Sequence, residues 1–297
     1  MSYIIFVALS IMWGSNFILM KKATLWFDPV TVGGLRIAGA VLFLGAVWMA
    51  RQREWPLSRD HFWPLLFVAA LGYAFPFALQ PILIERCGSG FIGMMVSFVP
   101  LMTIIVSVPM LGVYPTPRQL LGVVGGLAFL LLIMADGLDR EISPTNFLLA
   151  LCVPLVYAVC NTFIKRRFVG IEPLPLALAS LGLALLLFLP YVAAFPYREA
   201  AAREDLPLAL ASITILGVLG TGFGAYAFTK LLQDHGPLFA GMVTYLIPSF
   251  ALVWGWIDNE TVTARQVGAL LGILVMVALV QLGPAAGAIA ASPSKDD

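Results

Sequence analysis

The sequence predicts an all-α integral membrane protein with ten transmembrane helices, divided into two five-helix repeats of inverted topology. Three observations support this fold class. Hydrophobic residues make up 61% of the 297 positions and charged residues 11%, less than half of the roughly 25% that is typical of soluble domains. The apolar residues fall into ten long stretches, and the second half of the chain resembles the first at a constant offset.

Each of the ten stretches has the length of about 20 mostly apolar residues that a bilayer-spanning helix needs. Helices are expected because a chain in lipid must satisfy its own backbone hydrogen bonds. No Lys or Arg precedes the first stretch, so we interpret it as a transmembrane helix and not as a secretory signal. The predicted helices 1 to 10 cover residues 2–21, 30–50, 62–84, 89–112, 117–135, 145–165, 173–195, 206–231, 237–257 and 265–283.

An internal repeat is visible when Gly88 is aligned with Gly236, an offset of 148 residues. Such fixed-offset similarity is an architectural signal. Five helices in each copy is an odd number, so the second copy must enter the membrane upside down. We expect repeats at residues 1–143 and 144–284, followed by a disordered tail at 285–297. At the same offset, further identities are Gly93 with Gly241, Met94 with Met242, and Pro100 with Pro248.

Basic residues predict the orientation, because short cytoplasmic loops are enriched in Lys and Arg. In a ten-helix topology, the loop that holds Arg51, Arg53 and Arg59 falls on the same side as the run Lys165 to Arg167. Both termini are therefore expected in the cytoplasm. The net charge of +1 gives no basic surface that would suggest nucleic acid as a partner.

The order of several motifs resembles the drug/metabolite transporter superfamily, in its ten-helix EamA-type branch. One departure is that Gly112-Val113-Tyr114 replaces an acidic residue often seen at the end of helix 4. The motifs are the run ALSIMWGSNFILMKK, Asp28-Pro29 with Arg36, the Gly-rich entry to helix 4 before Pro100 and its repeat before Pro248, and Asp258 to Glu260 followed by TVTARQVGALLGI.

Within this branch the chain is similar to YddG-type amino-acid exporters. That resemblance implies a bacterial inner-membrane protein that exports aromatic and other neutral amino acids, and small cationic drugs. It also implies a central cavity between the two repeats, with helices 3, 4, 8 and 9 as its main lining.

Polar and aromatic residues on the predicted helices are the candidates for contact with substrate. In helix 3, for example, Tyr73, Phe77 and Gln80 share one face, and a glutamine left unpaired in hydrocarbon is costly. An interhelical hydrogen bond is the open alternative for Gln80, and a packing kink without substrate contact is the alternative for Thr244 and Tyr245 beside Pro248 in helix 9. The substrate-binding candidates are Tyr73, Phe77, Gln80, Met94, Ser97, Phe98, Tyr157, Asn161, Tyr226, Thr229, Lys230, Thr244 and Tyr245, and Trp13 and Asn16 form a second set with Tyr157 and Asn161.

Lys230 and Arg36 are the two basic residues placed within the predicted helices and not at their flanks. An intramembrane charge is by default a functional hypothesis. Lys230 would suit a substrate carboxylate, but it lies four residues before Asp234 and could pair locally or extend to the membrane interface. For Arg36, a structural tie to helix ends or backbone carbonyls is favoured.

Acidic residues are expected to be absent from the apolar cores, and His61 and His235 lie at helix edges. Because proton-coupled carriers usually need such groups within the membrane, the sequence favours uncoupled transport. In helix 8, Gly220, Gly222 and Gly224 follow no strand, so they indicate close helix packing and not a nucleotide site.

The expected function is therefore a carrier that moves small molecules across the bilayer by alternating access and acts as a monomer. We expect no catalytic residues, no metal site and no cofactor, and hence not an enzyme. Two alternatives stay open at this point: a proton-coupled exporter of other small amphiphilic metabolites or drugs, and an accessory membrane subunit.

Overall fold

The structure, a computed structural model, describes residues 2–51, 55–137, 142–195, 197, 203–257 and 264–281. All regular secondary structure within these residues is helical. Three sequence predictions lie outside the described residues: the disordered tail at 285–297, the segment from Asp258 to Glu260, and the placement of Arg53.

The described helices follow the predicted order, and their ends lie within four residues of the predicted positions. α1 to α4 and α6 to α8 contain seven spans that are long and apolar enough to cross a membrane, and α5, α9 and α10 contain shorter apolar helices. The helices are α1 (Ser2–Ala23), α2 (Pro29–Arg51), α3 (Arg59–Cys87), α4 (Ser89–Val96 and Val99–Leu111), α5 (Pro117–Gly137), α6 (Pro144–Arg167), α7 (Pro173–Ala194), α8 (Leu206–His235), α9 (Pro237–Gly241, Met242–Leu246 and Ile247–Ile257) and α10 (Ala264–Gln281).

Basic residues of the loop before α3 (around Arg59) and of the end of α6 (Lys165 to Arg167) lie at one end of the helix bundle, which we call the basic end. His61, in the first turn of α3, stacks on Phe168, which follows α6, with ring centroids 6.0 Å apart. Lys165 donates a hydrogen bond to the backbone oxygen of Gln233 near the end of α8. The loop before α3 and the end of α6 therefore lie on the same side, as the sequence predicts.

Further polar contacts place more helix ends at the basic end. Arg166 donates from Nη1 to a backbone oxygen near the end of α4, at 3.1 Å. Arg118, at the start of α5, donates from Nε to the backbone oxygen of Leu279 in α10, at 2.7 Å. The His235 ring lies 2.9 Å from the hydroxyl of Ser2. The start of α1 and the end of α10 thus lie at the same end of the bundle.

Two pairs of helices at matching positions in the sequence run in opposite directions. α1 runs away from the basic end, whereas α6 runs toward it. The same relation holds for α3 and α8. At the other end of the bundle, the Thr31 hydroxyl at the start of α2 donates to the backbone oxygen of Phe195, which follows α7.

Irregular backbone features recur in the two halves at the offset found in the sequence. α3 contains a π-helical segment at Val68–Ala74, and α8 contains one at Leu216–Phe223. Immediately after these two helices, Gly88 and Gly236 adopt positive φ angles of 87° and 88°. α4 and α9 are each interrupted shortly after they begin. The similarity of the two halves therefore extends from sequence to backbone geometry.

Candidate functional site

A central cavity of about 110 Å³ lies among helices from both halves of the bundle. α1, α3, α6 and α8 supply most of its lining, and α2, α4 and α9 supply the rest. The lining residues are Trp13, Asn16, Phe17, Met20, Arg36, Val68, Gly72, Tyr73, Phe77, Gln80, Val96, Val99, Tyr157, Cys160, Asn161, Ile164, Gly220, Thr221, Ala225, Phe228, Thr229, Thr244 and Ile247.

The two π-helical segments form part of the cavity wall. Val68, Gly72 and Tyr73 belong to the segment in α3, and Gly220 and Thr221 to the segment in α8. A π-helical turn inserts an extra residue into a helix and is frequent at functional sites. Here it changes which side chains α3 and α8 direct at the cavity.

Glycines of α8 allow α1 to approach the cavity closely. A Cβ atom on Gly220 would lie 2.3 Å from Oδ1 of Asn16, and a Cβ atom on Gly224 would lie 2.8 Å from Nε1 of Trp13. Gly222 meets α2 in the same way, with Ala40 Cα at 3.2 Å. The predicted role of these three glycines in close helix packing is confirmed.

Arg36 extends into the lining from α2. Its residue exposure is 3%. Its Nε donates to the Thr221 hydroxyl at 2.9 Å, and its Nη1 lies 3.3 Å from the sulfur of Met20. Its Cζ lies 4.1 Å from the ring centroid of Phe77. These contacts tie α2 to α1, α3 and α8, and all three partners are electrically neutral.

The neutral contacts offset the cost of burying Arg36 but do not neutralise its charge. An arginine at the centre of a membrane helix costs about 2.5–3.5 kcal/mol on insertion scales. A desolvated cation–π contact contributes about 2 kcal/mol and a hydrogen bond about 1 kcal/mol. The side chain can therefore be held without a counter-ion, and the residues that line the cavity include no Asp or Glu.

Three amide side chains also contribute polar groups to the lining. Gln80 is 4% exposed and lies against the hydroxyl of Tyr157. Asn16 and Asn161, from α1 and α6, are also buried. Because an amide both donates and accepts hydrogen bonds, these residues can contact either charged group of a zwitterion.

Aromatic rings complete the cavity. The rings of Tyr73 and Phe77 meet edge to face with centroids 5.8 Å apart, and Trp13 and Phe228 lie 4.9 Å apart. Trp13 also donates from Nε1 to the backbone oxygen of Gly220, at 3.0 Å. The site therefore combines one cation, amides and large apolar surfaces, which is the composition of a small-molecule pocket.

Seven of the thirteen predicted contact residues lie in the cavity lining. The second predicted set, Trp13 and Asn16 with Tyr157 and Asn161, is brought together there as a whole. The seven residues are Tyr73, Phe77, Gln80, Tyr157, Asn161, Thr229 and Thr244.

The structure places the predicted residues of α4 away from the cavity. Ser97 is fully buried and donates to the backbone oxygen of Thr244 at 2.8 Å, so it links α4 to α9. Met94 and Phe98 pack against the main hydrophobic core. The lining residues of α4 are instead two valines, at positions 96 and 99.

Tyr245 and Tyr226 also lie outside the lining. Tyr245 is 1% exposed, and its hydroxyl donates to the backbone oxygen of Val123 in α5, at 2.7 Å. The ring of Tyr226 lies 6.0 Å from Cζ of Arg51. Tyr245 therefore links α9 to α5.

Lys230 lies outside the cavity, on the exposed side of α8. Its Nζ forms an ion pair with Oδ2 of Asp234 at 2.9 Å, and the two side chains are 32% and 43% exposed. The local pairing weighed against carboxylate binding is thus what the structure contains. The cavity cation is Arg36, for which the sequence favoured a purely structural role.

The prediction of which helices line the cavity needs one correction. Helices 3, 4, 8 and 9 were expected to line the cavity, but α1 and α6 contribute more lining residues than α4 and α9. α4 and α9 are interrupted near the cavity, and the Ser97 hydroxyl of α4 donates to the backbone oxygen of Thr244 in α9. Helices 5 and 10, expected to be scaffold helices, contribute none of the lining residues.

The two halves differ at the position of Arg36. When Pro29 at the start of α2 is aligned with Pro173 at the start of α7, Arg36 aligns with Ser180. Ser180 is 1% exposed, and its hydroxyl has no hydrogen-bond partner in the described part of the chain. The cavity therefore carries its positive charge on the first half alone.

Comparison with known proteins gives a consistent family match. The model of the EamA-like transporter family matches residues 1–135 and 145–282. The uncharacterized transporter YvbV of Bacillus subtilis (strain 168) is 25% identical to this chain, covering 92% of this chain and 88% of YvbV. The uncharacterized inner membrane transporter YedA of Escherichia coli (strain K12) is 24% identical, covering 93% and 89% of the two chains.

A further relative has a named substrate. The S-adenosylmethionine/S-adenosylhomocysteine transporter of Chlamydia trachomatis serovar L2 is 23% identical, over 82% of this chain and 78% of that protein. A protein of known crystal structure has the same fold, with a TM-score of 0.76 at 16% identity, covering 95% of this chain and 96% of that chain.

Proposed function

This chain belongs to the EamA-like transporter family, and we propose that it is a secondary transporter that carries neutral and aromatic amino acids through its central cavity. The family and the relatives are transporters, and the chain is a multi-pass membrane protein. The proposal of an amino-acid substrate is more specific than these findings, and it rests on the chemistry of the cavity.

The observation that carries the proposal is the mixed composition of the cavity lining. Arg36, the amides of Gln80 and Asn161, and the rings of Tyr73 and Trp13 face one space. An aromatic amino acid combines two polar groups with an apolar ring, so each part has a chemical counterpart in the lining. A purely apolar substrate would give the charge of Arg36 no counter-ion and would offer the amides no hydrogen bond.

The named substrates of the chlamydial relative fit the same chemistry. S-adenosylmethionine and S-adenosylhomocysteine each contain an α-amino acid group attached to a larger body. A cavity that binds that group is therefore compatible with several substrates that differ in the rest of the molecule. This point supports amino-acid recognition but does not select one side chain.

Alternating access between two inverted repeats, residues 1–143 and 144–284, is the proposed mechanism. Three observations support it: the sequence offset of 148 residues, the two π-helical segments at that offset, and the opposite directions of α3 and α8. Inverted repeats with a binding site between them are typical of secondary transporters. The halves would rock around the cavity, and a single chain would suffice.

We further propose that the basic end faces the cytoplasm of a bacterium, in its inner membrane. The contacts of Lys165, Arg166 and Arg118 gather basic residues at that end, and cytoplasmic ends are enriched in Lys and Arg. Both chain termini would then be cytoplasmic. Export is the proposed direction, following the resemblance to amino-acid exporters.

The test is exchange of labelled phenylalanine and leucine in liposomes that contain only this protein. We expect saturable exchange well above that of empty liposomes. Cys160→Phe should abolish it, because Cys160 lines the cavity and the larger ring would occupy the substrate space. Cys152→Phe is the matched control, because Cys152 lies two turns earlier on α6 and outside the lining.

Exchange no greater than that of empty liposomes, across all proteinogenic amino acids, would refute the amino-acid proposal. Equal loss of exchange in the two cysteine variants would instead argue against the cavity as the route. Both variants should first be shown to elute as monodisperse protein in detergent, so that a loss of activity is not a loss of folding.

A further inference from the structure

We propose that Arg36 binds the carboxylate of the transported molecule, and that the cavity requires this carboxylate but not the α-ammonium group. The inference rests on the proposed function and specifies how the same site recognises its substrate. It predicts a wider substrate class than amino acids, namely monocarboxylates that bear an apolar or aromatic group.

Arg36 is held in a defined position by the helices around it. Its guanidinium is fixed on three sides, by the Thr221 hydroxyl at 2.9 Å, the Met20 sulfur at 3.3 Å and the Phe77 ring at 4.1 Å. These partners come from three different helices and carry no charge. A guanidinium held in this way is a preorganised partner for a carboxylate, which it can bind through two parallel hydrogen bonds.

Burial of Arg36 strengthens its pairing with a substrate carboxylate. Arg36 is 3% exposed, so little water competes for the guanidinium. Attraction between opposite charges is several times stronger in such surroundings than in bulk water. A carboxylate that enters the cavity would complete an ion pair that the lining residues themselves do not supply, since none of them is acidic.

The α-ammonium group of an amino acid has no ionic partner among the lining residues. The lining offers it only neutral acceptors, such as the amide oxygens of Asn16, Asn161 and Gln80. The nearby positive charge of Arg36 opposes a second cation. The ammonium group is therefore tolerated when a carboxylate accompanies it, but it contributes no ion pair of its own.

The experiment compares three molecules that share one phenyl ring. Phenylalanine has both charged groups, 3-phenylpropionate lacks the ammonium group, and phenethylamine lacks the carboxylate. Each is used as a competitor of labelled phenylalanine exchange in liposomes. With wild-type protein we expect 3-phenylpropionate to compete within about threefold of phenylalanine, and phenethylamine at least tenfold more weakly, as the loss of a charged pair predicts.

Variants assign the effect to Arg36. Arg36→Gln should weaken phenylalanine and 3-phenylpropionate at least tenfold, because both carry a carboxylate, and should not weaken phenethylamine, which loses a repulsive neighbour. Arg36→Lys keeps the positive charge but loses the paired N–H donors of the guanidinium. It should therefore weaken phenylalanine and 3-phenylpropionate less than Arg36→Gln does. Lys230→Gln is the control, because it removes an equal charge that lies outside the cavity, and it should behave as wild type.

A second measurement does not depend on transport. Each compound is tested for its ability to raise the unfolding temperature of the purified protein in detergent, which reports binding to the folded state. Stabilisation should follow the same order as competition. This measurement also shows whether the Arg36 variants are folded.

The outcomes separate the two proposals. Wild-type protein that exchanges no amino acid refutes the proposed function, and the stabilisation series then still decides whether a carboxylate is bound. Exchange in which phenethylamine competes as well as phenylalanine overturns only the present inference. So does a folded Arg36→Gln protein that 3-phenylpropionate still stabilises as strongly as wild type.

Discussion

Gly220 is a residue at which one added methyl group should disturb the cavity directly. A Cβ atom there would lie 2.3 Å from Oδ1 of Asn16 and 3.0 Å from its Cγ. The contact lies within the lining, so the change would displace a lining amide as well as separate α8 from α1. Close helix contacts in membranes depend on such small residues.

We therefore predict that Gly220→Ala reduces substrate exchange at least fivefold, as expected when a contact among close-packed helices is displaced, and lowers the unfolding temperature in detergent. Gly182→Ala is the control, because a Cβ atom on Gly182 in α7 would meet nothing within 4 Å. That variant should keep full exchange and gain about 0.5–1 kcal/mol of stability from its higher helix propensity. Identical behaviour of the two alanine variants would contradict the proposed contact.

The comparison of Arg36 with Lys230 shows how far sequence alone could identify the site. Both are charged residues in apolar segments, and burial cost alone does not distinguish them. Lys230 has Asp234 one turn away and pairs with it, whereas the positions one turn from Arg36 are Val32 and Ala40. The absence of a local partner is the sequence signal that favours Arg36, but the direction of its side chain depends on how α2 packs.

At the scale of elements, Gly88 and Gly236 set the sharp turns between α3 and α4 and between α8 and α9. Their backbone angles are φ 87° with ψ 153°, and φ 88° with ψ 170°. This region is essentially restricted to glycine, because a Cβ atom introduces strain. The two turns therefore depend on glycine for the same reason.

We predict that Gly88→Ala and Gly236→Ala each destabilise the protein by about 1–3 kcal/mol, the cost of such a strained residue. Thermal unfolding in detergent, followed by tryptophan fluorescence, would measure the change. Gly45→Ala serves as the reference, because Gly45 lies within α2 and its added Cβ would meet nothing within 4 Å. Unfolding temperatures equal to that of the reference would show that the turns do not require positive φ.

Helix positions were predictable from sequence because the length of an apolar segment and the residues at which a helix begins and ends are local properties. Five helices begin at a proline, at positions 29, 117, 144, 173 and 237, where the missing N–H of proline has no cost. The π-helical segments Val68–Ala74 and Leu216–Phe223 were not predictable. They change the register between hydrophobic pattern and helix face, so the α3 and α8 faces that meet the cavity could be inferred only in part.

At the scale of the whole molecule, the composition of the lining bears on energy coupling. None of the lining residues is Asp, Glu or His, and an arginine stays protonated throughout the physiological pH range. The described lining therefore contains no carboxylate or imidazole that would gain and lose a proton during a transport cycle.

We predict that net substrate flux into liposomes is the same with and without a pH gradient of two units, about 2.7 kcal/mol of driving force per proton. Initial rates of labelled substrate uptake, measured with and without the gradient at the same internal substrate concentration, would test this prediction. Accumulation that requires the gradient would show that a titrating group elsewhere in the chain takes part.

The unequal residues at equivalent positions, Arg36 and Ser180, have a kinetic consequence for the proposed carrier. Two strictly identical inverted halves would relate the inward-open and outward-open forms by a two-fold rotation in the membrane plane, with equal half-saturation concentrations at the two membrane faces. A guanidinium on one half alone would be hydrated to a different degree in each form. The two half-saturation concentrations would then differ, so inward and outward transport would saturate at different substrate concentrations, while the equilibrium is still set by the concentration gradient.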